Sequence, residues 1–409
     1  MGVLAITGGT PVRTDPWPTW PMSGDVEESG LLEVLRSGAW GSQYGKCTER
    51  FEVSFGKVAG TRHCIATTTG TAALEIAFQA VGVGCGDEVI VPAYTFMATA
   101  TAALAIFAKP VFVDVSADTW TLDPAAVEAA ITPRTKAIVP VHVAGNPCRM
   151  DEIMSIAREH EVAVVEDAAQ AHGGMYRGRP LGSVGDVACF SFQASKNVSS
   201  CEGGAITTND DRIAERCRRI YNCGRPGDPE IDAGPVIGTN ERMTEFQAAV
   251  LLGQLERLAE QTKTRQASAR RLHELLEGVE GVSGVAIPGE GSASAVHLFL
   301  VNYDPAAFAG LPKAKMLEAL AAENTPAAPG YTPIHRLGMF ARDSTGRSVA
   351  ERDTGMELDF SGTVCPFAER ICGEYGFWIY QKPFLAGPEA IEDYARALLK
   401  IQRNASELL

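Results

Sequence analysis

The sequence predicts an α/β protein with a mostly parallel central sheet in a large domain and a smaller α/β domain at the C-terminal end. Three observations lead to this. From about residue 60 onward, short β-branched apolar runs alternate with helical stretches. The apolar runs are nearly continuous, as in strands buried on both faces by covering helices. At 409 residues the chain is too long for one small core and suits a large domain plus a second one.

The first forty residues are rich in Pro, Gly and Trp, including Pro16-Trp17-Pro18-Thr19-Trp20-Pro21 and Gly38-Ala39-Trp40-Gly41. Such a segment reads as an arm packed on the surface. Strands are expected over 88–91, 111–115, 137–143, 162–166, 187–192 and 205–208. A helix is expected to start at Asp123-Pro124, a good cap followed by proline at the first helical position. Another is expected over 150–160, and a helical pair over 244–258 and 264–276. Gly- and Ala-rich turns and short mixed segments then run to the end. The expected division is an arm over 1–45, a large domain over 46–265 and a small domain over 266–409.

The net charge of −14 makes nucleic acid an unexpected partner, because an acidic surface repels phosphate backbones. No segment is long and apolar enough to span a bilayer, and the N-terminus lacks the basic start and apolar run of a signal peptide. A cytoplasmic location is expected. The ten cysteines include no C-x-x-C pair, which argues against a zinc site and a disulfide framework. No metal is expected.

In mostly parallel sheets ligands bind beyond the carboxyl ends of the strands, so the residues just after each strand are where chemistry is sought. Thr67-Thr68-Thr69-Gly70-Thr71-Ala72 is a small polar turn opening a helix. It reads either as a capped helix start or as an anion site in which Gly70 lets a phosphate come close. Pro92-Ala93-Tyr94-Thr95-Phe96 follows the next strand, and an aromatic there reads either as core or as a stack for a planar ring. Asp167 emerges after the apolar run at 162–165, either as a helix cap or as a carboxylate awaiting a cation. Lys196 lies between the strand Phe190-Ser191-Phe192 and the turn Glu202-Gly203-Gly204. A lysine is usually solvated, but this setting favours one that points into a cleft, where desolvation lowers its pKa and allows an imine with an aldehyde. Together these groups supply what pyridoxal 5′-phosphate (PLP) needs: a phosphate cradle, a ring stack, an acid for the ring nitrogen and an amine for the aldehyde.

The order of these segments resembles the DegT/DnrJ/EryC1/StrS family of PLP-dependent aminotransferases, over roughly residues 17–385. The resemblance rests on Gly86-Asp87-Glu88-Val89-Ile90-Val91-Pro92, Pro140-Val141-His142, Glu166-Asp167-Ala168-Ala169-Gln170, the segment 190–196 and Gly238-Thr239-Asn240-Glu241-Arg242-Met243. Tyr331-Thr332-Pro333-Ile334-His335 and Cys365-Pro366-Phe367-Ala368-Glu369-Arg370 match its C-terminal part. The resemblance implies fold type I and a homodimer with shared active sites. It implies Lys196 as the lysine bonded to PLP and as the proton carrier, with Asp167 on the pyridine nitrogen. It places Gln170 beside the ring's 3′-oxygen, Phe96 on the ring, and Gly70, Thr71, Ala72 and Ser191 on the phosphate. Asn240 would reach the phosphate of the other subunit's cofactor, and Arg242, Tyr331 and His335 would contact substrate. One departure is Cys201, where the family usually has glycine before Glu-Gly-Gly.

The activity implied is amino transfer in two half-reactions from L-glutamine or L-glutamate to a carbonyl acceptor, of the kind used in aminoglycoside and other antibiotic biosynthesis. Gly8-Gly9-Thr10-Pro11-Val12-Arg13, Trp17-Pro18-Thr19-Trp20-Pro21 and Asn222-Cys223-Gly224-Arg225-Pro226 resemble the cyclitol (inosose) and aminohydroxybenzoate-synthase branch. A keto cyclitol or free keto sugar is therefore the expected acceptor. A nucleotide-linked keto sugar and a 3-amino-5-hydroxybenzoate synthase activity are the alternatives. A sugar dehydratase of the same fold has histidine in place of the lysine, so Lys196 argues against it. The complete set Phe96, Asp167, Ser191 and Lys196 argues against a non-catalytic binding protein.

Overall fold

The computed structural model describes residues 2–409. Seven strands form the central sheet: β1 (His63–Thr67), β2 (Glu88–Pro92), β3 (Lys109–Val113), β4 (Thr135–Ile138), β5 (Ala163–Asp167), β8 (Val187–Ser191) and β9 (Gly204–Thr208). A small hairpin, β6 (Met175–Tyr176) and β7 (Arg179–Pro180), lies between β5 and β8. The sheet order is β1-β9-β8-β5-β4-β2-β3. β3, β2, β4, β5 and β8 run parallel, whereas β9 runs antiparallel to both of its neighbours. The mostly parallel sheet expected from the sequence is thus present.

Helices cover both faces: α2 (Cys47–Ala59), α3 (Gly70–Ala80), α4 (Ala98–Ala105), α5 (Pro124–Ala130), α6 (Met150–Glu159) and α7 (Asp211–Tyr221). Alternate strand residues enter separate cores. Val89, Val91, Val165 and Ile206 pack on one face, and Ile90, Val164, Ala188 and Ala205 on the other. Asp123 caps α5 by accepting from the N–H of Ala125, with Pro124 at the first helical position, as expected. Two strands are placed earlier than expected. β4 ends before Pro140, which has no N–H to give the ladder, and Pro110 is tolerated because β3 is an edge strand.

The helical pair expected over 244–276 is one helix, α8 (Glu245–Leu276). The segment between its expected halves, Ala259-Glu260-Gln261-Thr262-Lys263, contains neither Gly nor Pro, so nothing stops propagation. Thr244 and Gln247 close its N-terminus as a capping box. Residue 265, where the sequence places a domain boundary, lies within this helix.

The remaining chain builds a three-stranded antiparallel sheet of β10 (Val282–Gly284), β11 (Leu298–Tyr303) and β12 (Gly376–Tyr380). It packs with α9 (Lys313–Ala322) and α12 (Pro388–Arg403) around a third core that includes Phe299, Phe377 and Tyr394. Two short helices, α10 (Val349–Thr354) and α11 (Pro366–Arg370), lie between β11 and β12. The N-terminal segment crosses from this region to α8 and enters α1 (Asp25–Ser37). No helix among the described residues is long and apolar enough to cross a membrane.

Candidate active site

A cavity of about 480 Å³ opens where β5 and β8 end and α3 begins, roofed by β11, β12 and the loop carrying Tyr331. Asp167 is the last residue of β5 and is 6 % exposed. Its Oδ2 accepts from Thr99 Oγ1 at 2.7 Å, and its Oδ1 accepts from the N–H of Ala169 at 3.2 Å. Because a carboxylate only accepts, the Thr99 hydroxyl donates to it. Thr95 Oγ1, 3.0 Å away, then completes the chain by donating to Thr99. Burial raises the Asp167 pKa, opposed by Thr99, the Ala169 N–H and the charge of Lys196.

Glu166, one residue earlier, points to the opposite side of β5. It is fully buried, lies 2.8 Å from His142 Nε2, and accepts the N–H groups of Gly182, Val184 and Gly185. His142 Nδ1 in turn accepts from the N–H of Cys148, which leaves the ring's proton on Nε2, facing Glu166. This network fixes the carboxyl end of β5, and Asp167 with it.

Lys196 sits in the connection between β8 and β9 and lines the same cavity. Desolvation pulls its pKa down to about 8, and the negative charge of Asp167 opposes the shift. The amine is therefore partly uncharged near neutral pH, as a nucleophile toward an aldehyde must be.

Opposite Asp167, the N-terminus of α3 faces the cavity. Gly70 and Thr71 occupy its first positions, where backbone N–H groups have no intrahelical acceptor. The Ala72 N–H does not join them. It donates to Thr69 Oγ1 at 3.0 Å, so Ala72 belongs to the helix cap. Gly70 is also required for a reason the sequence did not suggest. A Cβ there would lie 2.7 Å from Ser191 Cβ, so the side chain on β8 demands it. Gly204 is similar, since its Cβ would lie 2.2 Å from the Thr69 carbonyl oxygen. Ser191 lines the cavity beside Gly70.

Phe96 is 50 % exposed and forms one wall, with its ring centroid 6.4 Å from that of Tyr331. The Gln170 Oε1 accepts from the Ala144 N–H at 2.6 Å, and its Nε2 donates to the Tyr331 hydroxyl at 2.9 Å. Tyr331 stands edge-on to Trp378, with ring centroids 4.5 Å apart.

The structure thus brings Gly70, Thr71, Phe96, Asp167, Gln170, Ser191, Lys196 and Tyr331 to one cavity. His335, expected at the substrate, is not there. It is buried in a 3-10 turn, pairs with Glu369 Oε1 at 2.9 Å through Nε2 and packs against Phe112. Arg242 is also outside, donating to Asn222 Oδ1 at 2.8 Å. Asn240 is exposed and away from the cavity of its own chain. Conversely, Thr99, His297, Trp378, Tyr380 and Glu202 line the cavity without having been expected there. His297 is held neutral chiefly by burial, with a further contribution from the charge of Lys196.

Cys201, the departure noted in the sequence, has φ of +75°, a left-handed conformation that favours glycine. Its carbonyl accepts from the N–H of Ala194 at 2.9 Å, so the loop keeps the shape a glycine would give it.

The model of the DegT/DnrJ/EryC1/StrS aminotransferase family matches residues 23–355. The chain belongs to this family. The aminotransferase is 38% identical to the L-glutamine:2-deoxy-scyllo-inosose aminotransferase of Streptoalloteichus tenebrarius, over 99% of each chain. It is 37% identical to the L-glutamine:scyllo-inosose aminotransferase of Streptomyces griseus, again over 99% of each. Among solved structures, 3-amino-5-hydroxybenzoic acid synthase superposes with a TM-score of 0.83 at 32% identity, covering 95% of this chain and 99% of that one. DesI, solved with its TDP-sugar product, gives 0.82 at 30% identity, covering 99% and 97%.

Proposed function

We propose that this aminotransferase holds PLP on Lys196 and moves the amino group of L-glutamine to an inosose-like keto cyclitol. The observation that carries the cofactor reading is the pairing, in one cavity, of a desolvated lysine with a buried carboxylate. The other groups fit PLP as well. Lys196 offers an amine to the aldehyde. Asp167 offers a carboxylate to a protonated ring nitrogen, and Phe96 offers a ring face. The Gly70 and Thr71 N–H groups and the Ser191 hydroxyl suit the phosphate.

Bound there, PLP supplies a ring that draws electrons from the reacting carbon. The protein does the rest. Asp167 would keep the ring nitrogen protonated, with Thr99 and the Ala169 N–H orienting its carboxylate. Lys196 would take the proton from the donor's α-carbon and hold it for return, and would act in the reverse order for the acceptor. Gln170 and Tyr331, bonded to each other, fix the wall beside the ring. In the homodimer, the exposed Asn240 is free to meet the other subunit's phosphate.

The acceptor reading rests on the names of the relatives and on the charge of the cavity. Among its lining residues Lys196 is the only Lys or Arg. No second Lys or Arg among these lining residues remains to hold a diphosphate, which disfavours a nucleotide-linked sugar. The likeness to 3-amino-5-hydroxybenzoic acid synthase supports a second reading, a ring-aromatising activity, which product analysis distinguishes.

The test is the visible absorbance of the protein with PLP. Wild type should show the band of lysine-bound cofactor, lose it on addition of L-glutamine and recover it with a keto cyclitol. Lys196→Ala should show no such band. A wild type without the band would overturn the cofactor assignment, and a band that no amino donor bleaches would overturn amino transfer.

A further inference from the structure

The sequence drew attention to the Trp-rich N-terminal segment, to which the chemistry above assigns nothing. The structure anchors it at two ends. On the C-terminal side, Arg13 pairs with Asp393 at 2.9 Å and lies 3.8 Å over the Trp17 ring, and Trp17 Nε1 donates to the Asn324 carbonyl at 2.7 Å. At the other end, the Met22 carbonyl accepts from Gln254 Nε2 at 2.7 Å and Arg257 Nη2 at 3.2 Å, both on α8.

Between these anchors Trp20 reaches the lysine loop. Its Nε1 donates to the Ala194 carbonyl at 3.1 Å. Ala194 lies two residues before Lys196, within the tight turn closed by the Lys196 N–H on the Gln193 carbonyl at 2.9 Å. The N–H of Ala194 is itself held by Cys201. Both polar groups of this peptide segment are therefore fixed, and the second only by the N-terminal segment.

Under the Trp20 ring sits Arg265 of α8, fully buried, with its guanidinium carbon 5.1 Å from the ring centroid. Its Nε donates to Gln381 Oε1 at 2.9 Å, while Nη1 and Nη2 have no hydrogen-bond partner among the described residues. A desolvated guanidinium is costly without compensation, and the electron-rich indole face is the compensation available here. Gln381 directly follows Tyr380, which lines the cavity. Arg265 thus ties the indole to α8 and to the end of β12.

We propose that Trp20 is a positioning residue for Lys196: its indole N–H fixes the carbonyl of the lysine-bearing turn, and the buried Arg265 fixes the indole. The inference rests on the reading that Lys196 carries the cofactor. The lysine loop is then held from outside the large sheet by a segment whose other anchor is the C-terminal region.

Trp20→Phe keeps a ring over Arg265 and removes only the donor. The apoprotein would be incubated with pyridoxal, which lacks the phosphate, then reduced with borohydride, and the label on Lys196 measured by mass spectrometry over time. Labelling in Trp20→Phe should be about 5-fold slower than wild type, the effect of one lost hydrogen bond, with a melting midpoint lowered by no more than about 3 °C. In the holoenzyme kcat should fall by a similar factor while KM for L-glutamine stays within about 2-fold. Trp17→Phe also loses an indole hydrogen bond, but one that does not touch the lysine loop, and its labelling rate should equal wild type. Arg265→Met should slow labelling as Trp20→Phe does, and decides the matter if Trp20→Phe fails to fold. Wild-type labelling rates in Trp20→Phe, or equal slowing in Trp17→Phe, would overturn the proposal. Undiminished total labelling in Lys196→Ala would overturn the cofactor reading instead.

Discussion

Thr99→Val exchanges a hydroxyl for a methyl group of similar shape and removes the 2.7 Å bond to Asp167 Oδ2. A hydrogen bond to a charged group contributes about 1.5–3 kcal/mol. Losing it should raise the Asp167 pKa further. Burial already raises that pKa, and Thr99 is the largest of the influences opposing it. The protonated carboxyl no longer attracts a protonated ring nitrogen, so PLP should bind about 10- to 100-fold more weakly at acidic pH, the fold-change that about 1.5–3 kcal/mol represents. The sign of the pH effect follows. A carboxylate whose pKa is raised regains its charge as pH rises, so the deficit should be largest at low pH and shrink as pH climbs through the new value. The assay is titration of apoprotein with PLP by visible absorbance across a pH series, with Thr99→Ser as the control that retains the hydroxyl. If Thr99→Val matches wild type in affinity at every pH, the threonine does not govern Asp167 and the reasoning fails.

Four further outcomes are expected. Cys201→Gly should stabilise the fold by up to about 1 kcal/mol, because a left-handed cysteine costs about 1–2 kcal/mol and glycine's greater unfolded freedom returns part of it; a lower denaturation midpoint would contradict the strain at φ +75°. Gly70→Ala should destabilise by about 1–3 kcal/mol, since its Cβ meets Ser191 Cβ at 2.7 Å, and should weaken PLP capture in the same protein, both read by melting and absorbance titration. The rate at which apoprotein captures PLP should rise as pH passes through about 8 and level off above it, as the desolvated Lys196 loses its proton, whereas a rise still continuing near the ordinary lysine value would show an amine that water reaches freely. His335→Ala should cost about 1–3 kcal/mol of stability while leaving KM for the donor and acceptor near wild type, because the ring is buried against Phe112 and Glu369.

The sheet was legible because its strands are buried on both faces and so read as apolar runs. β1 was not, because His63-Cys64-Ile65-Ala66-Thr67 is short and mixed and is specified by its antiparallel partner β9 rather than by its own pattern. The polar run Glu260-Gln261-Thr262-Lys263 interrupts the apolar period and so reads as a break between two helices, yet helix propagation needs only the absence of a breaker. Within the site, Asp167 and Lys196 declared themselves by following apolar strands. Thr99 carries no such signal, since it reaches Asp167 from the first turns of α4. Trp378 and Tyr380 had a weak one, because residues two apart on a strand share a face. The segment 331–335 shows the limit of motif matching: Tyr331 faces the cavity while His335, one turn on, is rotated into the core.

Reversing a single strand has a mechanical consequence. Had β9 run parallel to β8, the chain leaving β8 at the cavity would have had to travel back along the sheet before re-entering it, because parallel neighbours need a crossover. Running β9 the other way lets the chain double back where it stands. The lysine then rides on a short bridge whose two abutments face each other, Ser191 opposite Gly204, with the Phe192 N–H just beyond donating to the Gly203 carbonyl at 2.8 Å. The proton delivery proposed for Lys196 calls for a pivot that does not drift, and a bridge clamped at both feet supplies one.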